Sequence, residues 1–254
     1  MKTDLNSTNR FSDRVENYIK YRPGYPDGLL PLLSKEIGFS SSWVVADVGS
    51  GTGIFTEQLL TNGNEVFAVE PNAPMREAAE SLLSNFKNLH SLGASAEATT
   101  LADTSIDLIT CAQAFHWCDA AKCCVEFKRI LKPGGWVALI WNDRELDSTP
   151  FLQAYEAALN EYGTDYKEVS RVGNNITERI DILFDGKYQK AALSNHQDFT
   201  LEGLLGRAFS SSYVSLEGER YQQMRHELTR IFNTYENKGL VRFDYNTNIY
   251  LGNL

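Results

Sequence analysis

The 254-residue chain has little of what usually announces a compartment or a macromolecular partner. Its four cysteines all fall between Cys111 and Cys124, too clustered to staple a chain of this length. No disulfide framework is expected, and the thiols read as reduced in a cytoplasmic protein. No apolar run approaches the ~20 residues that a membrane helix requires. The opening MKTDLNSTNRFSDR lacks the apolar core of a secretory signal. Positive charge is scarce: 24 Lys and Arg against 33 Asp and Glu leave a formal net charge of −9. The densest basic concentration is Lys128-Arg129 with Lys132. Nucleic-acid affinity draws on concentrated positive surface that releases counterions, so the expected partner is a small molecule, not a nucleic acid or a membrane. Oligomeric state is not legible.

What is present is a core. Hydrophobic content of 43% and aromatic content of 11% suit a globular chain of this size. From Trp43 onward, short apolar runs alternate with helical patterns. WVVADVG, EVFAVE, NLHSLGA, IDLITCAQA and WVALIW read as strands, with IFTEQLLTNG, PMREAAESLLSN and DAAKCCVEFKRILKPGG as helices between them. Pro74 suits a first helical turn, Asp119 is a helix cap, and Pro133-Gly134-Gly135 is expected to stop the last helix. The link from Gly93 to Ser105 is too short for a full crossover helix. Alternation of this kind predicts an α/β, Rossmann-like, mostly parallel seven-stranded sheet with helices on both faces. After Trp141 the rhythm changes. Helices near Thr149–Tyr162, Leu201–Ser210 and Glu217–Asn237 form a predicted helical cap, and YQKAALSNHQDFT and LVRFDYNTNIYLG extend the sheet. The expected division is an N-terminal lid over residues 1–30, a core over 31–145, and cap helices with the last two strands over 146–254.

The glycines of VVADVGSGTGIFTEQLL carry the first chemical signal. No Lys-Ser or Lys-Thr follows them, which argues against a nucleoside triphosphate loop. A dinucleotide fingerprint is G-x-G-x-x-G; Gly49, Gly51 and Gly53 miss it by one, and bulky Phe55 lies two residues beyond. An acid, Glu70, ends the next strand, where its carboxylate would accept both hydroxyls of a ribose. The pattern fits a nucleoside without a pyrophosphate. A nicotinamide-dependent oxidoreductase and a tight turn with no ligand remain alternatives.

ADVGSGTG, AVEPN, ASAE, IDLITCAQAFHW and RILKPGGWVALIW, in that order, resemble a class I S-adenosylmethionine-dependent methyltransferase from about Trp43 to Trp141. The resemblance implies S-adenosyl-L-methionine as cofactor and S-adenosyl-L-homocysteine as product. It implies that Asp47, Gly49, Ser50, Gly51 and Gly53 line the methionine half and Glu70 the ribose. Met75 would pack on the adenine, Ser95, Ala96 and Glu97 would read its edge, and Ala112 and Gln113 would lie beneath the sulfonium. The aromatic segment FSDRVENYIKYRPGYP and the His-Trp after strand four resemble the trans-aconitate-methyltransferase-like branch. That likeness implies a lid in which Arg22 pairs with the cofactor carboxylate while Tyr18 and Tyr21 exclude water.

The remaining candidates sit at the carboxyl edge of the sheet, where ligands meet such folds. His116 would act as a base or hydrogen-bond a substrate oxygen, and Trp117 would wall the pocket. Trp141, Asn142 and Arg144 point to the same edge, with Arg144 as an anchor for an anionic acceptor. Cys118, Cys123 and Cys124 beside His116 raise a metal, but adjacent helical cysteines point about 100° apart and no second C-x-x-C pair completes a set. No metal is expected. CAQAFHW lacks the Asn/Asp-Pro-Pro-aromatic motif that grips amino groups, and no paired-glutamate loop for protein arginine is present. The expected reaction is methylation of a small acceptor, on an oxygen of an organic acid. A SAM-binding protein without catalysis is the alternative.

Overall fold

The computed structural model describes residues 20–164, 166, 176–211 and 213–254. Tyr18 and the segment before Lys20 lie outside the described residues, as does most of the polar stretch after Thr164. The strands are β1 Val44–Val48, β2 Glu65–Val69, β3 Leu89–Leu92, β4 Ile106–Ala112, β5 Leu131–Arg144, β6 Gln189–Phe199 and β7 Val241–Gly252. They form one sheet in the order β3-β2-β1-β4-β5-β7-β6. The first five run parallel, and β7 is antiparallel to both β5 and β6. The expected mostly parallel seven-stranded sheet is therefore present, with the two late strands at its edge. The strand order reverses between β1 and β4, so the carboxyl ends of these strands open a crevice.

Eight helices accompany the sheet among the described residues: α1 Leu29–Ile37, α2 Ile54–Thr61, α3 Ala73–Leu82, α4 Ala120–Ile130, α5 Pro150–Tyr162, α6 Ile176–Phe184, α7 Leu201–Phe209 and α8 Gly218–Tyr235. Local chemistry starts several of them. The side chains of Asn72, Asp119, Thr149 and Thr200 each accept a backbone N–H of the first turn, satisfying donors that the helix leaves open. Alternation along the strands then sorts side chains to two faces. Val45 and Leu108 pack with Leu29, Leu33 and Leu59 of α1 and α2. Ala46 and Ile109 pack with Phe127 and Ile130 of α4 and Ile180 and Leu183 of α6. A third cluster joins Tyr155 of α5, Leu204 of α7 and Leu228 of α8 to Phe243 and Tyr245 of β7, and this is the helical cap. No helix among the described residues is long and apolar enough to cross a membrane.

Two departures from the sequence expectation have local causes. The helix expected to run to Pro133-Gly134-Gly135 ends at Ile130, because Leu131 is extended and already pairs with Ile106 of β4. The next pair in register is Trp136 with Leu108, so Lys132–Gly135 bulge from the strand. Helix α6 was not anticipated at all. It follows a polar stretch and is short, yet it buries Ile180, Leu183 and Phe184 against α4.

The short β3–β4 link carries no helix, as its length implied; Ser95 and Ala98 make an isolated bridge instead. Buried Glu126 of α4 holds this link. Its Oε1 accepts from the Thr99 N–H at 2.7 Å, the Thr99 hydroxyl at 2.5 Å and Arg129 Nη2 at 2.7 Å. Those bonds, that of Arg129 first, hold the Glu126 carboxyl down to about 2 against an ordinary 4.5. Such a group stabilises the fold above pH 4.5 and loses that contribution as pH falls through 2. Glu126→Gln should cost about 2 kcal/mol at pH 7 in denaturant unfolding, and the two proteins should converge toward pH 2.

Candidate active site

The crevice begins at the turn after β1. Gly49, Gly51 and Gly53 have φ of 72°, 58° and 86°, a left-handed region that side chains resist. A Cβ at Gly49 would stand 2.3 Å from the Ala114 Cβ, and one at Gly53 would stand 2.6 Å from Leu83 Cδ1. The glycines therefore serve close packing as well as the turn. Asp47, Gly49, Ser50, Ala112 and Gln113 line a cavity of about 50 Å³ that Tyr25 and Thr52 also border. The Thr52 hydroxyl is buried there with no partner. Gln113 has φ of 58°, uncommon for a residue with a side chain, and is held by its N–H to the Ile140 carbonyl at 2.8 Å and its amide to the Asn142 carbonyl at 2.9 Å.

Two carboxylates face this region. Asp47 accepts from the hydroxyls of Thr56 at 2.6 Å and Thr110 at 2.8 Å, and burial pushes its pKa up to about 6. Glu70 accepts from the Gly51 N–H at 2.9 Å and the Asn72 N–H at 2.8 Å, one on each oxygen. Each oxygen thus keeps a second lone pair, the capacity that a ribose diol requires. Burial raises the pKa of Glu70 as well. Met75 lies over the turn, with its sulfur 3.6 Å from where a Gly51 Cβ would project. Ala96 is buried with Val69 in one core cluster. Ser95 turns back to Ala98, and Glu97 Oε1 accepts from the Asp119 N–H at 2.9 Å.

His116 and Trp117 lie in a 3₁₀ turn, Phe115–Trp117, directly after β4. The His116 Nδ1 accepts from Trp141 Nε1 at 3.4 Å, which leaves the proton on Nε2. Burial, with the nearby positive charge of Arg179, lowers its pKa to about 4. His116 is thus a neutral hydrogen-bond donor through Nε2 at pH 7. Its base role loses support: one ring nitrogen is engaged and the other is already protonated. Trp141 is buried and contacts His116.

Two further expectations are corrected. Arg144 was expected as a free anchor for an anion, but its Nη2 reaches Glu156 at 2.5 Å and its guanidinium lies 4.9 Å from the Tyr155 ring centroid. A guanidinium so paired has already spent much of its attraction. Tyr21 was expected over the cofactor. Its ring instead packs on Gly206 of α7, where a Cβ would approach it to 2.0 Å, and its hydroxyl donates to Glu202 at 3.1 Å. Tyr25 takes the place at the cavity, with its ring 5.0 Å from that of Phe55. The half-buried Arg22 stands between them in the chain. This strap is latched: the Gly24 carbonyl accepts from Asn142 at 3.1 Å and Asn195 at 2.8 Å.

Sequence reasoning missed Thr52, Tyr25 and Asn195. Thr52 sits inside the glycine motif and Tyr25 inside the aromatic segment, so a signal existed for both. Nothing local marks Asn195, which acts from the far edge of the sheet.

A mostly parallel sheet with a glycine turn at its switch point, a carboxylate with open lone pairs beside it and an orphaned hydroxyl in the cleft have the chemistry to receive a nucleoside cofactor. Residues 46–139 match the family described as "Methyltransferase domain". An uncharacterized methyltransferase-like protein of Schizosaccharomyces pombe is 30% identical over 243 residues, covering 93% of this chain and 92% of its own. The malonyl-[acyl-carrier protein] O-methyltransferase of a Marinomonas species is 32% identical over 136 residues, 50% of this chain and 47% of its own. Among solved structures, a provisionally assigned type II methyltransferase from Anaeromyxobacter dehalogenans superposes with a TM-score of 0.64 at 19% identity, covering 91% of this chain and 97% of that one. The chain belongs to the class I S-adenosylmethionine-dependent methyltransferases. Its cofactor is S-adenosyl-L-methionine, which supplies an activated methyl on a sulfonium. The glycine cradle, the free lone pairs of Glu70 and the orphaned Thr52 hydroxyl fit that group.

Glu70→Ala should weaken S-adenosylmethionine binding by about 1–3 kcal/mol through the loss of a charge-assisted pair of acceptors; unchanged affinity in calorimetry would remove Glu70 from the site. His116 makes a separate pH prediction. Its pKa is about 4 folded against 6.5 unfolded, so below pH 6.5 the unfolded chain takes up the proton more readily. The wild type should lose up to about 3 kcal/mol relative to His116→Gln between pH 6.5 and 4. Parallel stability curves would refute the buried neutral state.

Proposed function

We propose that the enzyme transfers the methyl group of S-adenosylmethionine to a carboxylate oxygen of a small organic acid, as in the trans-aconitate-methyltransferase-like branch. The state of His116 carries this reading. A phenol or amine nucleophile benefits from a base in the transition state, whereas a carboxylate is ionised at pH 7 and needs none. A neutral histidine that presents Nε2–H suits an acceptor oxygen that must be aligned but not deprotonated. The acidic composition and the absence of an amino-gripping motif support a small acceptor over a nucleic acid. The Marinomonas relative is named as a methyltransferase acting on oxygen, which supports an oxygen acceptor.

In this reading Asp47, Gly49, Ser50, Gly51, Gly53 and Thr52, with Ala112 and Gln113, would hold the methionine half. Glu70 holds the ribose, and Met75 with Ser95, Ala96 and Glu97 holds the adenine. Arg22 reaches the cofactor carboxylate from the strap, and Tyr25 shuts out water. Trp117 walls the acceptor and Trp141 orients His116. Alignment of acceptor and methyl group supplies most of the acceleration, since the cofactor is already activated.

With labelled S-adenosylmethionine and a panel of small carboxylic acids, the product should be a base-labile ester. A product stable to base would exclude the carboxylate. His116→Ala should lower kcat about 10–100-fold with little change in cofactor affinity, and His116→Gln, which keeps an N–H donor, should lose less. The wild-type kcat should stay flat from pH 7 to 9; an acid limb in that range that His116→Gln abolishes would reinstate the base.

A further inference from the structure

A set of metal-binding side chains lies beside this site, and it differs from the set that the cysteine spacing suggested. Glu97, Cys118 and Cys123 bring one carboxylate oxygen and two sulfurs within 4.8 Å of one another. We propose that these three residues bind a thiophilic divalent cation of the Zn²⁺ class, with a fourth position open to water.

The geometry is close to what such an ion requires. Zinc–sulfur bonds of about 2.3 Å at tetrahedral angles set ligand atoms roughly 3.5–3.8 Å apart, so adjustments of about 1 Å complete the set. The ligands come from two well-held pieces of chain. Glu97 stands in the β3–β4 link that Glu126 fastens to α4. Cys118 follows the 3₁₀ turn, and Cys123 lies in the first turn of α4, its N–H donating to the Asp119 carbonyl at 2.8 Å. One Glu97 oxygen accepts from the Asp119 N–H at 2.9 Å, which fixes the carboxylate and leaves its other oxygen available. Such outer-shell hydrogen bonds orient ligands in metal sites generally.

The surroundings select the class of ion. Cys123 is buried and Glu97 and Cys118 are half-buried. The donor set is two cysteine sulfurs and one carboxylate oxygen, and a cation that binds both sulfurs as thiolates displaces one proton from each to solvent. Only ions with strong thiolate affinity repay that, which favours Zn²⁺ and Cd²⁺ over Mg²⁺ and Ca²⁺. Cys124 is not part of the set; its sulfur faces the Leu183 carbonyl at 3.6 Å. The site is independent of the acceptor. If Glu97 also reads the adenine edge, as proposed above, ion and cofactor would oppose each other, and failure of that competition would count only against the adenine assignment.

The test is Co²⁺ titration of the tag-free, cofactor-free chain under a phosphine reductant. The expected result is one Co²⁺ per chain with thiolate-to-cobalt charge-transfer absorption, displaced by Zn²⁺. Cys118→Ser and Cys123→Ser should abolish the band, Glu97→Gln should weaken binding at least tenfold, and Cys124→Ser should leave it unchanged. Glu97→Gln lies outside the core, so it remains informative if a cysteine variant misfolds. Absence of the band from the folded wild type, or its survival in both Cys118→Ser and Cys123→Ser, would overturn the site.

Discussion

The carboxylate of Asp47, buried at the end of β1, accepts from Thr56 of α2 at 2.6 Å and Thr110 of β4 at 2.8 Å, and the crevice is organised around that junction. One side chain ties the two strands that flank the switch point to the helix that follows the glycine turn. With those three elements joined, the backbone from Gly49 to Gly53 has a single course to follow. Gly49 must then pass so close to Ala114 that no side chain fits between them. The same approach confines the chain after β4, where Gln113 adopts positive φ and is bonded on both sides to β5. Conformational strain at the carboxyl end of β4 is therefore held by packing and hydrogen bonds that begin at Asp47.

Burial also sets the charge state of the site. Asp47 and Glu70 both resist ionisation, and His116 resists protonation. Low dielectric penalises whichever form is charged, so the three groups shift in opposite chemical directions for one physical cause.

The strap and the cap share the work of enclosure. Tyr21 is anchored in the cap cluster, Tyr25 borders the cavity at the glycine turn, and the Gly24 carbonyl between them is latched by Asn142 and Asn195. Cap and crevice are thereby connected through five residues of chain. Arg144, pinned by Glu156 and Tyr155, belongs to this scaffold.

The sequence by itself determined the alternating elements of the core, because strand and helix periods, caps and glycine turns are local properties of a few neighbouring residues. Asn72, Asp119, Thr149 and Thr200 begin their helices for reasons visible within four residues, and Glu70 stands out as an acid directly after the strand that follows a glycine loop. Tertiary structure alone decided what depends on partners distant in the chain. Arg144 read as an anchor for an anion because its partners Glu156 and Tyr155 lie on a helix whose docking no local pattern specifies. Glu97 was expected at the adenine edge, and its place beside Cys118 and Cys123 emerges only when the β3–β4 link is folded against α4. His116 read as a base or as a hydrogen-bonding group, and only the fold brings Trp141, from the neighbouring strand, to its Nδ1. A residue type supplies the chemistry, but its charge, tautomer and freedom are set by what packs against it.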